Sequence, residues 1–174
     1  MPRSFDMSAD YEGSVEEVHR AFREADYWRA RLEDTPVDVA SIESIRVGGE
    51  TGNDGTIAVA TLQMVRSHHL PALVTQLHRG DLCVRREEIW GPVIEGSATA
   101  SVAGSIVDAP VHLTGTAVLA PIAESGGARL TYWVSIHVRV PIIGGKLERM
   151  IGTQLANLVA AEQRFTTQWI MNNA

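Results

Sequence analysis

Residues 140–170, VPIIGGKLERMIGTQLANLVAAEQRFTTQWI, join the end of a strand-like run to a long helical pattern. Pro141 lacks a backbone N–H and cannot extend a strand ladder, so we expect the strand to end there. Gly144 and Gly145 then allow the chain to reverse in conformations that other residues resist, with the two preceding isoleucines buried at the turn. The stretch therefore predicts a corner of the fold, and a larger side chain at Gly145 is expected to destabilise it.

The residues after this corner, from about 143 to 170, carry the longest amphipathic pattern in the chain. A helix of about 26 residues would span roughly 40 Å, the size of a small domain. Such a helix must lie along a partner, and an antiparallel sheet is the partner that the rest of the chain offers. Apolar side chains recur along it at intervals of three and four residues, as on one face of a helix: Leu147, Ile151, Leu155, Leu158, Phe165 and Trp169.

The N-terminal part of the chain predicts one strand followed by two short helices. Phe5, Met7 and Ala9 alternate with polar residues, which is the period of a strand with one buried face. Ser14 and Glu17 have the spacing of a capping box, in which each side chain accepts a hydrogen bond from the other residue's backbone N–H. The first helix is therefore expected to begin just after Ser14, and a second one to continue to about residue 32.

Residues 37–140 predict a run of antiparallel strands separated by turn signals. The clearest strand is RLTYWVSIHVRV, residues 129–140, in which one face is apolar and the other is polar apart from Trp133. We expect its apolar face to point inward and its polar face to meet water. The inward face would hold Leu130, Tyr132, Val134, Ile136, Val138 and Val140. The whole pattern predicts an α+β fold in which a curved sheet of six or seven antiparallel strands wraps around the long C-terminal helix.

Length, composition and charge restrict the classes of function. The 174 residues are 45% hydrophobic, carry a formal net charge of −6 and include one cysteine. These values favour a single domain, residues 1–174, and argue against a nucleic-acid partner and a disulfide framework. The sequence shows neither a secretory signal pattern nor an apolar run near the roughly 20 residues of a membrane helix. We therefore expect a cytoplasmic protein without stable membrane insertion.

The predicted order of elements is similar to the helix-grip fold of the START-like superfamily, also called SRPBCC or Bet v 1-like. This superfamily includes polyketide cyclases, plant allergen-type carriers and lipid-transfer domains. Residues 8–34 resemble its opening strand and helix pair. VRVPIIGGKLERMIGTQL, residues 138–155, and EIWG, residues 88–91, resemble segments of a mostly actinobacterial family of unknown function within the superfamily.

The resemblance implies one START-like ligand-binding domain with a cavity between the sheet and the last helix. Relatives hold sterols, lipids, polyketides or other apolar ligands in such a cavity. Tyr27 and Trp28 lie near the helix pair, which often forms the cavity mouth, so we expect them at the entrance. The residues that we expect to line the cavity share a predicted inner face or lie near the apolar stripe of the helix: Gln63, His112, Thr114, Thr116, Tyr132, Val134, Ile136, Gln154, Leu158 and Glu162.

Patterns of catalytic or metal-binding residues are missing from the sequence. His68 and His69 would point apart on an extended segment, and neither they nor His78 have an acidic or cysteine partner at ligand spacing. Cys83 lies in a strand-like run and is expected to act as a small buried hydrophobe. The charged run RREE, residues 85–88, is expected to pair across strands on the wet face, and which member faces inward stays open. We predict no catalytic residue, metal or cofactor.

These observations favour a protein that binds or carries a small hydrophobic molecule, such as a lipid, a sterol or a polyketide-like compound. One alternative is a polyketide cyclase-like enzyme that uses Glu162, Tyr132 or His112 for acid–base catalysis in the same cavity. A second alternative is a protein-interaction module whose groove holds a peptide or a partner's helix. Trp133, on the outer face of the last strand, would suit a homodimer contact.

Overall fold

The computed structural model describes residues 2–35, 37–69, 71–77 and 80–173. These residues form seven strands and four α-helices, an α+β arrangement of the helix-grip type, as the sequence predicts. In chain order the elements are β1 (Arg3–Tyr11), α1 (Val15–Phe22), α2 (Ala25–Asp34), β2 (Val39–Val47), β3 (Ile57–Val65), α3 (Ala72–Leu77), β4 (Leu82–Trp90), β5 (Ala98–Ile106), β6 (Val111–Pro121), β7 (Ala128–Val138) and α4 (Gly144–Asn172).

The seven strands form one antiparallel sheet in the order β1-β7-β6-β5-β4-β3-β2. Strands β2 to β7 follow one another as a meander, and β1 joins its end by pairing with β7. Leu130, Tyr132, Val134, Ile136 and Val138 are all buried on β7, which confirms the predicted inner face for these five residues. Val140, the sixth, lies beyond the end of the strand and is partly buried. The partner for α4 is therefore the inner face of this sheet, where α4 has its main contacts on β1 and β7.

The helix pair begins with the predicted capping box. The Glu17 backbone N–H donates to Ser14 Oγ at 3.2 Å, and the Ser14 backbone N–H donates to Glu17 Oε1 at 3.1 Å. These bonds satisfy backbone donors that a helix start leaves without an intrahelical partner. The buried face of α1 holds Val15, Val18 and Phe22, which fix this helix against the core.

The corner between β7 and α4 differs from its prediction in how the chain turns. Ile142 takes the left-handed conformation, with φ 71°, and is fully exposed rather than buried. Gly144 is needed for a close approach, because an added Cβ would lie 2.7 Å from the Val138 carbonyl oxygen. At Gly145 an added Cβ would lie 3.4 Å from Arg3 Nη2, which is close to ordinary contact. We therefore expect substitution to destabilise the protein at Gly144 and not, as predicted from the sequence, at Gly145.

A buried carboxylate fastens the end of β7 to the first turns of α4. Glu148 is only 1% exposed, and its Oε2 accepts a hydrogen bond of 2.9 Å from the Val138 backbone N–H. The bond occupies a strand donor just where the ladder ends, before Pro141. The corner is thus stabilised by a side chain of the helix that it introduces.

The described helices include none that is both long and apolar enough to cross a membrane. On the outer face of the sheet, Trp133 keeps 48% of its surface exposed. Its exposure agrees with the alternation of β7, and its proposed role in a homodimer stays a prediction.

Candidate functional site

A cavity of about 120 Å³ lies between the inner face of the sheet and the middle of α4. Its wall is almost entirely apolar and is contributed by β1, by β3 to β7 and by α4. Protein interiors are normally packed with few voids larger than a water molecule. The side chains that define its apolar surface include Val102, Leu113, Val134, Ile136, Ile151 and Leu158.

The cavity exists partly because Gly104 occupies an inward-facing position of β5. Val102 and Ile106, two residues away on each side, also line the cavity, as strand alternation requires. A Cβ added at Gly104 would lie 3.6 Å from Leu113 Cβ and from the Arg85 carbonyl oxygen, which is ordinary contact. The backbone at Gly104 therefore accepts a side chain, and the space that such a side chain would fill belongs to the cavity.

At one end of the cavity lies an ionic cluster of four side chains. Three of them are buried, Arg31 of α2, Glu88 of β4 and Glu162 of α4, and the fourth, Arg86 of β4, is partly buried. Arg31 Nη2 lies 2.6 Å from Glu162 Oε1, and Arg86 Nη1 donates to Glu162 Oε2 at 2.7 Å. Arg86 Nη2 donates both to Glu162 Oε1 at 2.9 Å and to Glu88 Oε1 at 3.1 Å. The cluster joins α2, the sheet and α4, and its formal charges sum to zero.

Aromatic and hydroxyl side chains complete the hydrogen bonding of the cluster. Trp90 Nε1 donates to Glu88 Oε2 at 2.9 Å, and Tyr132 Oη donates to Glu88 Oε1 at 3.2 Å. The Arg31 guanidinium lies 4.5 Å from the centroid of the Trp28 ring and donates to Tyr27 Oη at 3.3 Å. Buried charges persist in proteins when they are paired and hydrogen-bonded in this way.

Electrostatics keep Glu162 in its ionised form. Burial by itself raises the pKa of Glu162, but the charges of Arg31 and Arg86 and their hydrogen bonds outweigh burial and lower this pKa from 4.5 to about 2. Burial raises the pKa of the Tyr132 phenol well above its usual value, and the charge of Glu88 raises it further. Glu162 is therefore a weak base and Tyr132 a weak acid at neutral pH.

Gln63 of β3 lies where the cavity meets the ionic cluster. It is 6% exposed and lines both the apolar cavity and a much smaller space beside Arg31 and Glu162. Its side-chain amide makes no hydrogen bond to another residue that the structure describes, whereas the neighbouring Arg86 donates to two carboxylates. Gln63 is thus a buried amide with free hydrogen-bonding capacity beside an apolar cavity.

The structure brings some of the residues expected to line the cavity together. Gln63, Tyr132, Val134, Ile136 and Leu158 all contribute to the wall. Glu162 is also buried, but it lies in the ionic cluster at the end of the cavity. That any of these residues contacts a ligand stays a prediction.

Four other expected lining residues lie outside the cavity. His112, Thr114 and Thr116 do share one face of β6, but that face is the exposed outer one. Apolar residues of β6 fill the opposite face, because the side of a strand that meets the core is the side that gains from burial. Gln154 is exposed on α4, on the side of the helix away from the sheet.

Tyr27 and Trp28 were expected at the entrance of the cavity, but both belong to the core. Tyr27 is fully buried and Trp28 is 3% exposed. Their rings pack against each other with centroids 5.3 Å apart and against Phe22. Tyr27 Oη also lies 2.6 Å from Thr166 Oγ1 of α4. Both aromatic residues therefore attach α2 to the rest of the domain.

The ionic cluster was the part of the site that sequence patterns missed. In RREE, residues 85–88, Arg85 pairs with Glu43 on the outer surface as expected, but both Arg86 and Glu88 face inward. Trp90 carries the signal that could have revealed this. It is two residues beyond Glu88 and therefore on the same face, and a buried tryptophan fixes which face of β4 meets the core.

His68 and His69 lie away from this site, on a turn rather than on the extended segment that the sequence suggested. His68 and His69 are exposed on a short 3₁₀ turn, where His69 Nδ1 lies 2.8 Å from Asp38 Oδ1. His78 lies outside the described residues. Within the part of the chain that the structure describes, no group of three histidine, cysteine or acidic side chains is placed to hold a metal ion.

Comparisons with known proteins find related sequences over nearly the whole chain. The family described as "Protein of unknown function (DUF2505)" matches residues 6–170. An uncharacterised protein of Mycobacterium tuberculosis, Rv0481c, is 79% identical over 173 residues, which cover 99% of each chain. An uncharacterised protein of Mycobacterium bovis, Mb0491c, matches to the same extent.

Solved structures share the fold at low sequence identity. Zhui aromatase/cyclase from Streptomyces sp. R1128 has a TM-score of 0.62 and 8% identity, over 99% of this chain and 95% of that one. TTHA0849 from Thermus thermophilus has a TM-score of 0.59 and 14% identity, over 99% of both chains. Norcoclaurine synthase from Thalictrum flavum, in complex with dopamine and hydroxybenzaldehyde, has a TM-score of 0.54 and 10% identity, over 100% of this chain and 89% of that one. These matches confirm the predicted helix-grip fold.

Proposed function

The chain belongs to the DUF2505 family, and we propose that it binds a small hydrophobic molecule in the cavity between the sheet and α4. The observation that carries this proposal is the apolar space of about 120 Å³ between the sheet and α4. An empty apolar cavity costs stability in proportion to its volume, whereas an apolar ligand restores the lost contacts. A ligand therefore gives a physical reason for the glycine at position 104.

The size of the cavity sets the size of the ligand. An apolar cavity of about 150 Å³ is sufficient to bind benzene. The ligand is accordingly a molecule with about one ring, and a sterol or a long-chain lipid would require α4 to move away from the sheet. The norcoclaurine synthase with this fold is in complex with two molecules of that size, dopamine and hydroxybenzaldehyde, which supports the proposed range.

The two other functions considered from the sequence have less support. Acid–base catalysis by Glu162, Tyr132 or His112 is disfavoured, because Glu162 is ionised between two arginines, Tyr132 retains its proton, and His112 is on the outer face. A protein-interaction groove would suit an interior packed to ordinary density between α4 and the sheet, whereas an apolar cavity lies there.

Titration with toluene, followed by amide NMR, tests the proposal. We expect saturable shifts in residues that surround the cavity, in the wild-type protein and in Ala103→Leu. Gly104→Leu places an isobutyl group in the cavity, so it should retain the native spectrum and lose the binding. Ala103 is the matched control, because it is the neighbouring residue on the outer face of β5. Equal toluene binding by Gly104→Leu and the wild type would contradict the proposed site.

A further inference from the structure

The few polar side chains in the cavity wall differ in whether their donors and acceptors already have hydrogen-bond partners in the protein. Arg86 and Tyr132 donate to carboxylates of the ionic cluster, and Arg85 donates to Glu43 on the outer surface. Ser105 alternates with the inward-facing Gly104 and also lines a depression on the outer face of the sheet. Within the described chain, the Gln63 amide is thus the wall group that faces inward with its donor and acceptor both unused.

The amide atoms of Gln63 are not sealed inside the protein but border the cavity, so a partner for them must come from the cavity. Burial of an amide without a compensating hydrogen bond is unfavourable, and a leucine of similar size would avoid that cost. Gln63 pairs through its backbone with Ala40 and Val84 in the sheet, so its side chain is not needed for strand pairing. Its position at the end of an apolar cavity places an amide where a bound molecule could reach it.

The charge of the neighbouring groups restricts what that molecule carries. Two arginines and two glutamates already balance each other in the ionic cluster, with contacts of 2.6–3.1 Å. A carboxylate ligand would add a fifth charge that has to be desolvated without a free counter-charge. A neutral oxygen avoids this penalty, and an amide can donate to a carbonyl or both donate to and accept from a hydroxyl.

On the premise of the proposed function, we propose that the ligand is a neutral, ring-sized alcohol, phenol or carbonyl compound whose oxygen hydrogen-bonds to the side-chain amide of Gln63. Gln63 is then the residue that determines specificity, and the apolar wall provides the binding energy. The ionic cluster positions this end of the cavity and excludes anions.

Two pairs of small ring compounds test this inference. Phenol and toluene differ by a hydroxyl in place of a methyl group, and benzaldehyde and benzoate differ by a neutral carbonyl in place of a carboxylate. Their affinities are measured by amide NMR titration at pH 7 for the wild type, Gln63→Leu and Gln154→Leu. Gln154 is the matched control, because it is an exposed glutamine on α4 that undergoes the same substitution. The Gln63 side-chain NH₂ resonance gives a direct report of the hydrogen bond.

We expect Gln63→Leu to weaken the binding of phenol relative to that of toluene by about tenfold, which is the effect of losing one hydrogen bond to the ligand. Gln154→Leu should leave that ratio unchanged, and benzaldehyde should bind the wild type more tightly than benzoate. If toluene binds but the phenol-to-toluene ratio is the same in Gln63→Leu, or benzoate binds as tightly as benzaldehyde, this inference is wrong while the proposed function stands. If none of the four compounds binds saturably, both are wrong.

Discussion

Gln63 and Glu162 are both buried polar residues beside the cavity, but they differ in what satisfies them. Glu162 accepts from two arginines, whereas the amide of Gln63 bonds to none of the described residues. A satisfied buried group stabilises the native state, and an unsatisfied one is retained at a cost. Substitution at Glu162 should therefore lower the free energy of unfolding, whereas substitution of Gln63 by an apolar residue should leave it unchanged or raise it.

Gln63→Leu should leave the free energy of unfolding unchanged or raise it by about 1 kcal/mol, because it removes an unpaired buried amide and adds apolar surface. Urea denaturation of ligand-free protein measures this change. Gln154→Leu, at an exposed position, should stay within about 0.5 kcal/mol of the wild type. A loss of more than about 1 kcal/mol in Gln63→Leu would mean that the amide has a structural partner.

Glu162→Gln should lower the free energy of unfolding by about 3–5 kcal/mol, because Arg31 and Arg86 would lose the carboxylate that compensates their charges. Glu43→Gln is the matched control. It breaks the exposed pair with Arg85 and should cost less than about 1 kcal/mol. Similar losses in the two variants, measured by urea denaturation, would show that the ionic cluster is not the buried network described here.

The corner between β7 and α4 shows that a glycine pair can be recognised in a sequence without revealing why each glycine is needed. Gly144 fits closely against the Val138 carbonyl, and the left-handed backbone falls on Ile142 instead. The packing of the helix against the sheet decides which of the neighbouring residues takes the left-handed conformation. Propensity identifies the corner, but packing assigns the roles within it.

Gly144→Ala should lower the free energy of unfolding by about 1–3 kcal/mol, since its Cβ would press on the backbone of β7. Gly145→Ala has room, and alanine favours the helix, so this variant should be neutral or slightly more stable. Calorimetric melting of the two variants compares them directly. A greater loss in Gly145→Ala than in Gly144→Ala would restore the original prediction for the corner.

Strand alternation predicted the faces of β7 correctly and left those of β4 open. On β7 polar and apolar residues alternate except at the exposed Trp133, so burial follows the pattern. On β4 both faces carry charges. Arg86 faces inward towards Glu162 of α4, and Glu88 accepts from Tyr132 of β7, and both partners are distant in sequence. On β6 the alternation was clear, but its polar face was assigned to the cavity. Local periodicity therefore gave the sheet and the helix, whereas the ionic cluster required the tertiary structure.

Acid should weaken the attachment of α2 and α4 to the sheet. The pKa of Glu162 is lowered from 4.5 to about 2 in the folded protein, so the unfolded chain takes up the proton first as the pH falls. The stabilisation is fully present above about pH 4.5 and is lost progressively towards pH 2.

We therefore expect the difference in unfolding free energy between the wild type and Glu162→Gln to narrow from pH 5 to pH 2. Urea denaturation at a series of pH values measures it. The comparison with the variant removes the contribution of surface carboxylates such as Asp10 and Asp38, whose pKa values are also lowered, by Arg129 and by His69 respectively. A constant difference across this range would contradict the lowered pKa of Glu162 in the folded protein.

The cavity is the feature on which the functional account of the domain depends. A crystal structure of the ligand-free protein under xenon pressure tests it most directly, because xenon enters apolar cavities of this size. The expected result is a xenon atom between β5 and α4, near Gly104 and Leu158, which is absent from crystals of Gly104→Leu treated in the same way. Wild-type crystals that hold no xenon there, or that show the space closed by side chains, would contradict the account.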